Sequence, residues 1–385
     1  MDVFAGEGLL SPSGRPGKIA SDRFWEDSMV SPPARLAAAA SNVVGKVLHG
    51  GLADLRPMPR VLIDQGPNRS LYRMTHRGGT VSGPPILLVP PLAAPAICFD
   101  LRRGCSLIEH LVEGRRNTYL VDYGMVAFSD RRLGIEHWID EVLPRAIRRV
   151  SADAGGQAVH LVSWSLGGIF SLLVNADQPD LPIASITAIG SPVDFTAIPI
   201  VAPFRPLVDL TNGHLLTPIY RAFGGAPSYL VSRVFRATGV SKEITKPLAI
   251  LKNLDDRDYL AQIEAVDHFM SNMYAYPGRT FGQLYHRLFR TNDLAEGKVD
   301  LNGRIISLSA VRVPTLVVAG ENDTIAPRPS VERVVELLDK APEVRFKTAP
   351  GGHLGVLTGR KARGTTWRYL DEFLDDQLSS LPQPS

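Results

Sequence analysis

HLVSWSLGGIF, residues 160–170, joins a short apolar run to two serines, a tryptophan and a pair of glycines. The apolar run is typical of a buried strand, and the residues after the glycines have the spacing of a helix. A serine on a tight turn between strand and helix is the arrangement of the G-x-S-x-G pattern, which exposes its hydroxyl for attack on a carbonyl. The stretch therefore predicts a strand, a nucleophile turn and a helix in succession.

Ser165 is the serine that fits this turn. The backbone at the nucleophile tolerates only small residues two places before and two places after it, and for Ser165 these are Ser163 and Gly167. For Ser163 the earlier flanking residue would be Leu161, which would crowd the turn. The amide of Leu166 would begin the helix and could donate to an oxyanion. S-x-S-x-G by itself also fits an ordinary helix cap.

Apolar strands and helices alternate along the chain around this turn. Helical patterns cover residues 106–114, 134–150 and the stretch after 165, and strand-like runs lie at 84–91, 117–124, 158–165, 184–192, 313–323 and 343–353. Such alternation predicts βαβ units and a mostly parallel sheet flanked by helices, which is an α/β fold. Nearer the N-terminus we expect a helix within residues 31–52 and a hairpin around the GPN turn at 66–68.

The alternation breaks between residues 197 and 300, where helical, aromatic-rich segments show no clear buried strand. We expect a helical lid inserted over the carboxyl end of the sheet. The chain then divides into an N-terminal extension (1–57, a loose segment plus a helix), the first part of the core (58–196), the lid (197–300) and the second part of the core (301–385). The lid's apolar residues are each typical of helix packing, and together they suggest an acyl-chain substrate: Phe269, Met270, Met273, Tyr274, Tyr276 and Phe281.

A serine nucleophile needs a general base, and the base needs an orienting carboxylate. His353 is the strongest candidate for the base, because it follows the last strand and has glycines on both sides. Asp323 lies just past the end of the preceding strand, about 30 residues earlier in the sequence. Asp194 is the rival, although it also suits a cap or a turn. A second oxyanion donor is expected from Leu92, the first residue with an N–H after two prolines at a strand end.

Composition excludes several classes of protein. The chain has 385 residues, 44% of them apolar and 21% charged, and a net charge of +3, which is too small to argue for a nucleic-acid partner. Cys98 and Cys105 form no disulfide framework, and no Cys/His cluster has zinc-like spacing. No secretory signal or transmembrane segment is evident. We therefore expect a cytoplasmic protein without a metal or cofactor. A homodimer is one option for its oligomeric state.

Several further segments, taken in order, resemble the α/β-hydrolase superfamily and, within it, the polyhydroxyalkanoate synthase family. They lie within roughly residues 58–375 and read RVLIDQGPNRSLYRM, ILLVPPLAAPAICFDLRRGCSLIEHLVEGRRNTYLVDYG, GIEHWIDEVLPRAI, VPTLVVAGENDTIAP and GGHLGVL. The resemblance implies an α/β-hydrolase fold with a lid, and it places the family's catalytic thiol, aspartate and histidine on Ser165, Asp323 and His353. The family carries cysteine in a G-x-C-x-G box, whereas this chain has serine there, with Ser163 in place of the first glycine. The family's long N-terminal region, linked to granules and dimer contacts, is largely missing.

The serine changes the expected chemistry. A thiolate suits repeated acyl exchange with a growing chain, whereas the oxyester formed on serine is normally passed to water. We therefore expect a serine acyl hydrolase, either an esterase, a lipase or a thioesterase, acting on an apolar acyl ester or an acyl-CoA thioester. Arg102 and Arg103 could contact CoA phosphates, although surface arginines usually meet only water. A synthase-like acyltransferase working through serine and a non-catalytic binding protein of the same fold are the alternatives.

Overall fold

The computed structural model describes residues 32–48, 51–76, 78, 81–199, 225–237 and 240–379, and the description below concerns these residues. The strands are β1 Arg60–Gly66, β2 Arg69–Met74, β3 Ser82–Val89, β4 Arg116–Asp122, β5 Val159–Trp164, β6 Ile183–Ile189, β7 Gly225–Ala226, β8 Tyr276–Pro277, β9 Lys298–Leu301, β10 Arg304–Ser307, β11 Thr315–Gly320 and β12 Val344–Ala349. Eight of them form one sheet in the order β1-β2-β4-β3-β5-β6-β11-β12. Only β2 runs antiparallel to the rest of this sheet.

Helices cover both faces of the sheet. The α-helices are α1 Pro32–Leu48, α2 Leu107–Glu113, α3 Leu143–Asp153, α4 Leu166–Asp177, α5 Ser228–Ala237, α6 Val240–Lys252, α7 Arg257–Ser271, α8 Gly278–Gln283, α9 Arg328–Glu332, α10 Gly355–Thr358 and α11 Thr366–Ser379. Two π-helical segments, His137–Val142 and Leu284–Arg290, precede α3 and follow α8. None of the helices in the described part of the chain is long and apolar enough to cross a membrane.

Strand β5 is central to the sheet and is buried at every residue. One of its faces packs through Leu161 into a core shared with α3 and α4. The other face packs through Val162 and Trp164 into a core shared with α2 and α11. A parallel strand covered on both faces requires a near-continuous apolar sequence, which explains the run that the sequence shows before Ser165.

The predicted fold class is confirmed. All six predicted parallel strands are present, and they alternate with helices as the sequence indicates. The hairpin around GPN is β1–β2, and the helix expected within residues 31–52 is α1. The helix expected over residues 134–150 is in fact π-helical at its start and becomes α-helical at Leu143.

Helices α5 to α8 occupy much of the segment between β6 and β11, in which the lid was predicted. The antiparallel hairpin β9–β10 was not predicted, because its strands have only four residues each and give too short an alternation to recognise. This hairpin spans residue 300, where the sequence placed the end of the lid. The loose segment predicted for residues 1–31, and residues 200–224 of the lid, lie outside the described residues.

His160 makes an acid-sensitive contribution to the stability of this core. It is 3% exposed on β5, its Nδ1 is 2.7 Å from the Ser185 hydroxyl, and burial lowers its pKa to about 4. The unfolded chain therefore binds a proton that the folded chain excludes as the pH falls from about 6.5 to about 4. The free energy of unfolding should lose up to about 3 kcal/mol over this window through this residue.

We expect His160→Asn, which cannot take up the proton, to flatten this acid dependence in urea unfolding curves recorded near neutral pH and at about pH 4.5. His268→Asn, at an exposed position of α7, should leave the dependence unchanged. An acid dependence of equal size in wild type and His160→Asn would contradict this assignment.

Candidate active site

Ser165 lies on a strained turn at the carboxyl end of β5. Its backbone has φ 55° and ψ −125°, a positive φ that residues with a side chain rarely adopt. Two hydrogen bonds hold the turn: the Ser165 N–H donates to the Ile189 carbonyl at 2.9 Å, and the Ser165 carbonyl accepts from the Gly168 N–H at 3.0 Å. Such a conformation costs about 1–3 kcal/mol and persists only where neighbouring contacts enforce it.

Gly167 allows α4 to begin against the end of β3. A Cβ atom at this position would lie 2.4 Å from the Val89 carbonyl oxygen and 2.8 Å from that of Pro90. Both are backbone atoms that cannot move aside alone, so only glycine fits. The steric argument for a small residue two places after Ser165 therefore has a specific physical cause.

Ser165, His353 and Asp323 form one hydrogen-bonded chain. His353 Nε2 is 2.9 Å from Ser165 Oγ, and His353 Nδ1 is 2.8 Å from Asp323 Oδ2. The Asp323 side chain is fully buried, and its other oxygen accepts the N–H groups of Ile325 and Ala326, each at 2.9 Å. An ionised carboxylate with these partners can fix the histidine tautomer and leave Nε2 able to accept a proton from the serine.

Asp194, the rival acid, serves the structure in another way. Its Oδ1 accepts the N–H and the hydroxyl of Thr196 at 2.8 and 2.6 Å, so it caps the short helical turn that follows. The same oxygen accepts from the Asn292 side chain at 2.9 Å. The structure therefore pairs His353 with Asp323 and gives Asp194 the capping role that was weighed against it.

Ser163 faces away from the histidine. Its hydroxyl is 2.6 Å from that of Ser171 on α4, and the Ser171 hydroxyl donates to the Gly167 carbonyl at 2.9 Å. Ser163 is fully buried, so a hydroxyl at this position needs the partner that Ser171 provides. Serine can thus stand where the usual pattern has glycine.

The two expected oxyanion donors, Leu166 and Leu92, lie on elements that meet at Ser165. Leu166 is the first residue of α4, so its N–H has no carbonyl acceptor in its own helix. Leu92 follows Pro91 in the turn after β3, and the close fit of Gly167 brings the start of this turn against α4. Their roles as donors stay predictions.

An apolar cavity of about 340 Å³ adjoins Ser165. None of its lining side chains is charged, and the described residues that form it come from the core and from the segment between β6 and β11: Ser165, Leu166, Ile169, Pro192, Phe195, Ile198, Ala226, Leu230, Val231, Tyr276, Phe281, Leu284, Tyr285, Leu288, Phe289 and Ile325. Burial raises the pKa of Tyr276 to about 12, so its hydroxyl stays protonated. The cavity can take an apolar chain attached to a carbonyl at Ser165.

Sequence analysis did not identify many of the residues that line this cavity. Leu284, Tyr285, Leu288 and Phe289 line the cavity from one face of the π-helical segment Leu284–Arg290. This segment belongs to the helical, aromatic-rich stretch expected between residues 197 and 300, and over so short a length sequence periodicity does not distinguish a π-helix from an α-helix. The apolar pairs at 284/285 and 288/289 were the signal that marked this face.

Arg102 and Arg103 both form ion pairs with carboxylates of the fold. Arg102 is buried and pairs with Asp258 at 2.7 Å and with the Gln262 side chain at 2.9 Å. Arg103 pairs with Asp100 and lies 3.7 Å from Glu109. Both arginines therefore connect elements of the fold, and the structure does not support the CoA contact considered from the sequence.

The strained serine, its hydrogen-bonded histidine and aspartate, and the mostly parallel sheet define an α/β-hydrolase arrangement. Residues 84–360 match the alpha/beta hydrolase fold family, and the chain belongs to that family.

Its relatives include poly(3-hydroxyalkanoate) polymerase subunits PhaC, which confirms the resemblance noted in the sequence. The PhaC of Allochromatium vinosum is 23% identical over 339 residues, covering 86% of this chain and 92% of that protein. The PhaC of Thiocystis violacea is 22% identical, covering 94% and 99%. Against the longer PhaC of Haloferax mediterranei, at 21% identity, the chain covers 65% of the relative.

The chain is also similar to solved structures, among them alpha/beta hydrolase domain-containing protein 10 from mouse. It is 14% identical with a TM-score of 0.49, covering 82% of this chain and 98% of that one. A thermophilic esterase from Thermogutta terrifontis is also 14% identical, with a TM-score of 0.45, covering 84% and 99%.

The geometry predicts that a fluorophosphonate probe labels Ser165. Ser165→Ala should abolish the labelling and lower any esterase rate by at least about 10³-fold, since the nucleophile is lost. Ser163→Gly restores the usual pattern and should keep both close to wild type. The measurement is probe labelling read by gel and by peptide mass mapping. Full labelling of Ser165→Ala would show that another residue is the nucleophile.

Proposed function

We propose that this protein is a serine hydrolase of apolar acyl esters that works through an acyl-enzyme on Ser165. One observation carries the proposal: the Ser165–His353–Asp323 chain lies beside an uncharged cavity of about 340 Å³. A base-activated hydroxyl next to an acyl-sized apolar cavity is suited to attack on an ester carbonyl.

The first half of the reaction forms the acyl-enzyme. Ser165 Oγ attacks the ester carbonyl while His353 Nε2 takes the hydroxyl proton, and Asp323 holds the Nδ1 proton and stabilises the imidazolium. The N–H groups of Leu166 and Leu92 stabilise the oxyanion. As the tetrahedral intermediate collapses, the bond to the leaving group breaks and His353 returns the proton to the departing alcohol.

The second half uses water as the acceptor. His353 removes a proton from water as the water oxygen attacks the acyl carbon, and the bond to Ser165 breaks with the proton returning to its oxygen. An oxyester on serine is a poorer donor to other acyl acceptors than a thioester on cysteine, which supports hydrolysis over chain growth.

Neutral esters fit the cavity better than CoA thioesters do. The cavity is lined without charge, and Arg102 and Arg103 are already paired with carboxylates. The acyl group would extend along the apolar wall, and a small or neutral leaving group would require no cation. The cytoplasmic location expected from the sequence stays a prediction.

The second candidate is a synthase-like acyltransferase that uses serine, favoured by the relatives named as poly(3-hydroxyalkanoate) polymerase subunits. Incubation with a 3-hydroxyacyl-CoA and, in parallel, with the ethyl ester of the same acid separates the two functions. We expect the ethyl ester to give free acid, any acyl group taken from the CoA thioester to appear as free acid as well, and Ser165→Ala to release none. Polymer or oligomer in place of free acid would contradict the hydrolase proposal, and an enzyme inert to all esters and to the probe would favour a non-catalytic binding protein.

Leu288 offers a test of the acyl pocket. It lines the cavity and is 2% exposed, so Leu288→Phe should fill part of the space that a longer chain would use. We expect kcat/KM for an octanoyl ester to fall about tenfold while that for an acetyl ester changes little. Leu251→Phe, at an exposed position of α6, is the matched control. An equal loss on both esters in Leu288→Phe would contradict the assignment of this cavity to the acyl chain.

A further inference from the structure

Trp164 packs against the proposed catalytic histidine, His353. Its indole N–H donates to the His353 carbonyl at 3.0 Å, and the indole and imidazole ring centroids are 4.9 Å apart with an interplanar angle of 37°. Trp164 is 2% exposed, so both contacts are made within the core. One side chain thus holds both the backbone and the ring of the residue that must stay aligned with Ser165.

Helix α7 also packs against Trp164. Phe269 on this helix is 1% exposed, and its ring centroid is 6.2 Å from that of Trp164. Ala265 on the same face of α7 is also fully buried, in the same core cluster. The helix therefore contributes to the same core as Trp164.

Polar contacts tie α7 to the segment that follows His353. The Gln262 side chain donates to the Thr358 carbonyl at 3.3 Å. Arg360 pairs with Asp256 at 2.9 Å and with Asp258 at 2.6 Å, at the start of α7. The first half of α7 is thus joined to residues 358–360, a few residues after His353.

The lid residues that the sequence singled out lie in two different parts of the structure. Of the six lid residues singled out there, only Tyr276 and Phe281 line the cavity, whereas Phe269 and Met273 are buried in the core cluster that contains Trp164. Helix α7 is placed to support the histidine and does not form the described wall of the acyl pocket.

We propose that Trp164 is a positioning residue that holds the His353 imidazole in line with Ser165, and that α7 supports it through Phe269. The inference rests on the proposed function, because alignment affects rate only if His353 is the base. Transfer of the serine proton requires Nε2 within hydrogen-bond reach of Oγ, and a displacement of about 1 Å can cost about 10²-fold in rate. Substrate binding uses the separate apolar cavity, so a displaced histidine lowers kcat and leaves KM unchanged.

The test compares two matched tryptophan substitutions. Trp164→Phe removes the hydrogen bond to the His353 carbonyl and replaces the indole beside the imidazole with a smaller phenyl ring. Trp367→Phe is the control, because Trp367 is equally buried in the same cluster and donates to the Leu357 carbonyl at 2.7 Å, but stacks on His110. For each variant, kcat and KM on a short-chain ester, the rate of fluorophosphonate labelling and Tm are measured.

We expect Trp164→Phe to lower kcat and the labelling rate about tenfold with KM unchanged, and Trp367→Phe to keep both rates within about twofold at a comparable loss of Tm. Wild-type kcat in Trp164→Phe, an effect confined to KM, or an equal loss of kcat in Trp367→Phe would overturn the proposal. A wild-type protein that neither hydrolyses esters nor takes up the probe would instead refute the proposed function.

A second pair of variants tests whether α7 supports Trp164. This pair also tests the proposal if Trp164→Phe does not fold. Phe269→Leu removes the ring beside Trp164, and Phe373→Leu makes the same change at a fully buried position on α11. We expect about a threefold to tenfold loss of kcat at unchanged KM in Phe269→Leu alone. Equal kcat in the two variants would overturn the role of the helix.

Discussion

The close contact between the start of α4 and the end of β3 is the constraint on which the site depends. A side chain at position 167 would collide with the Val89 and Pro90 carbonyl groups, so only glycine lets α4 begin this close to β3 directly after the sharp turn at Ser165. The turn strains the backbone at Ser165, and backbone hydrogen bonds to the Ile189 carbonyl and from the Gly168 N–H hold this conformation in place. The same contact brings the turn after β3, with Leu92, to the start of the helix.

Much of this could be predicted from the sequence because the relevant signals are local. Residue type and spacing predict the strand before Ser165, the turn at this serine and the helix after it. They also single out His353, which follows a strand and has glycines on both sides. The pairing of His353 with Asp323 rather than Asp194 could not be derived with certainty, since both acids follow strand ends. It is decided by tertiary contacts: Thr196 and Asn292 occupy the carboxylate of Asp194.

The segment between β6 and β11 was the hardest part to predict, because its apolar residues have two destinations that look alike in sequence. Tyr276 lines the cavity, whereas Phe269, a few residues earlier, is buried next to Trp164. Periodicity shows that a helix has an apolar face but not what this face contacts. The apolar composition that suggested a substrate lid thus reflects both a pocket wall and a support for the proposed base.

Trapping of the covalent intermediate tests the central claim most directly. A chromogenic medium-chain ester is mixed with the protein, the reaction is quenched with acid within milliseconds to seconds, and the acylated peptide is mapped by mass spectrometry. Our account predicts one acyl group on Ser165 that decays to free acid carrying a single oxygen from solvent water. Product formation with no acyl group on Ser165, or with the acyl group on another residue, would contradict it.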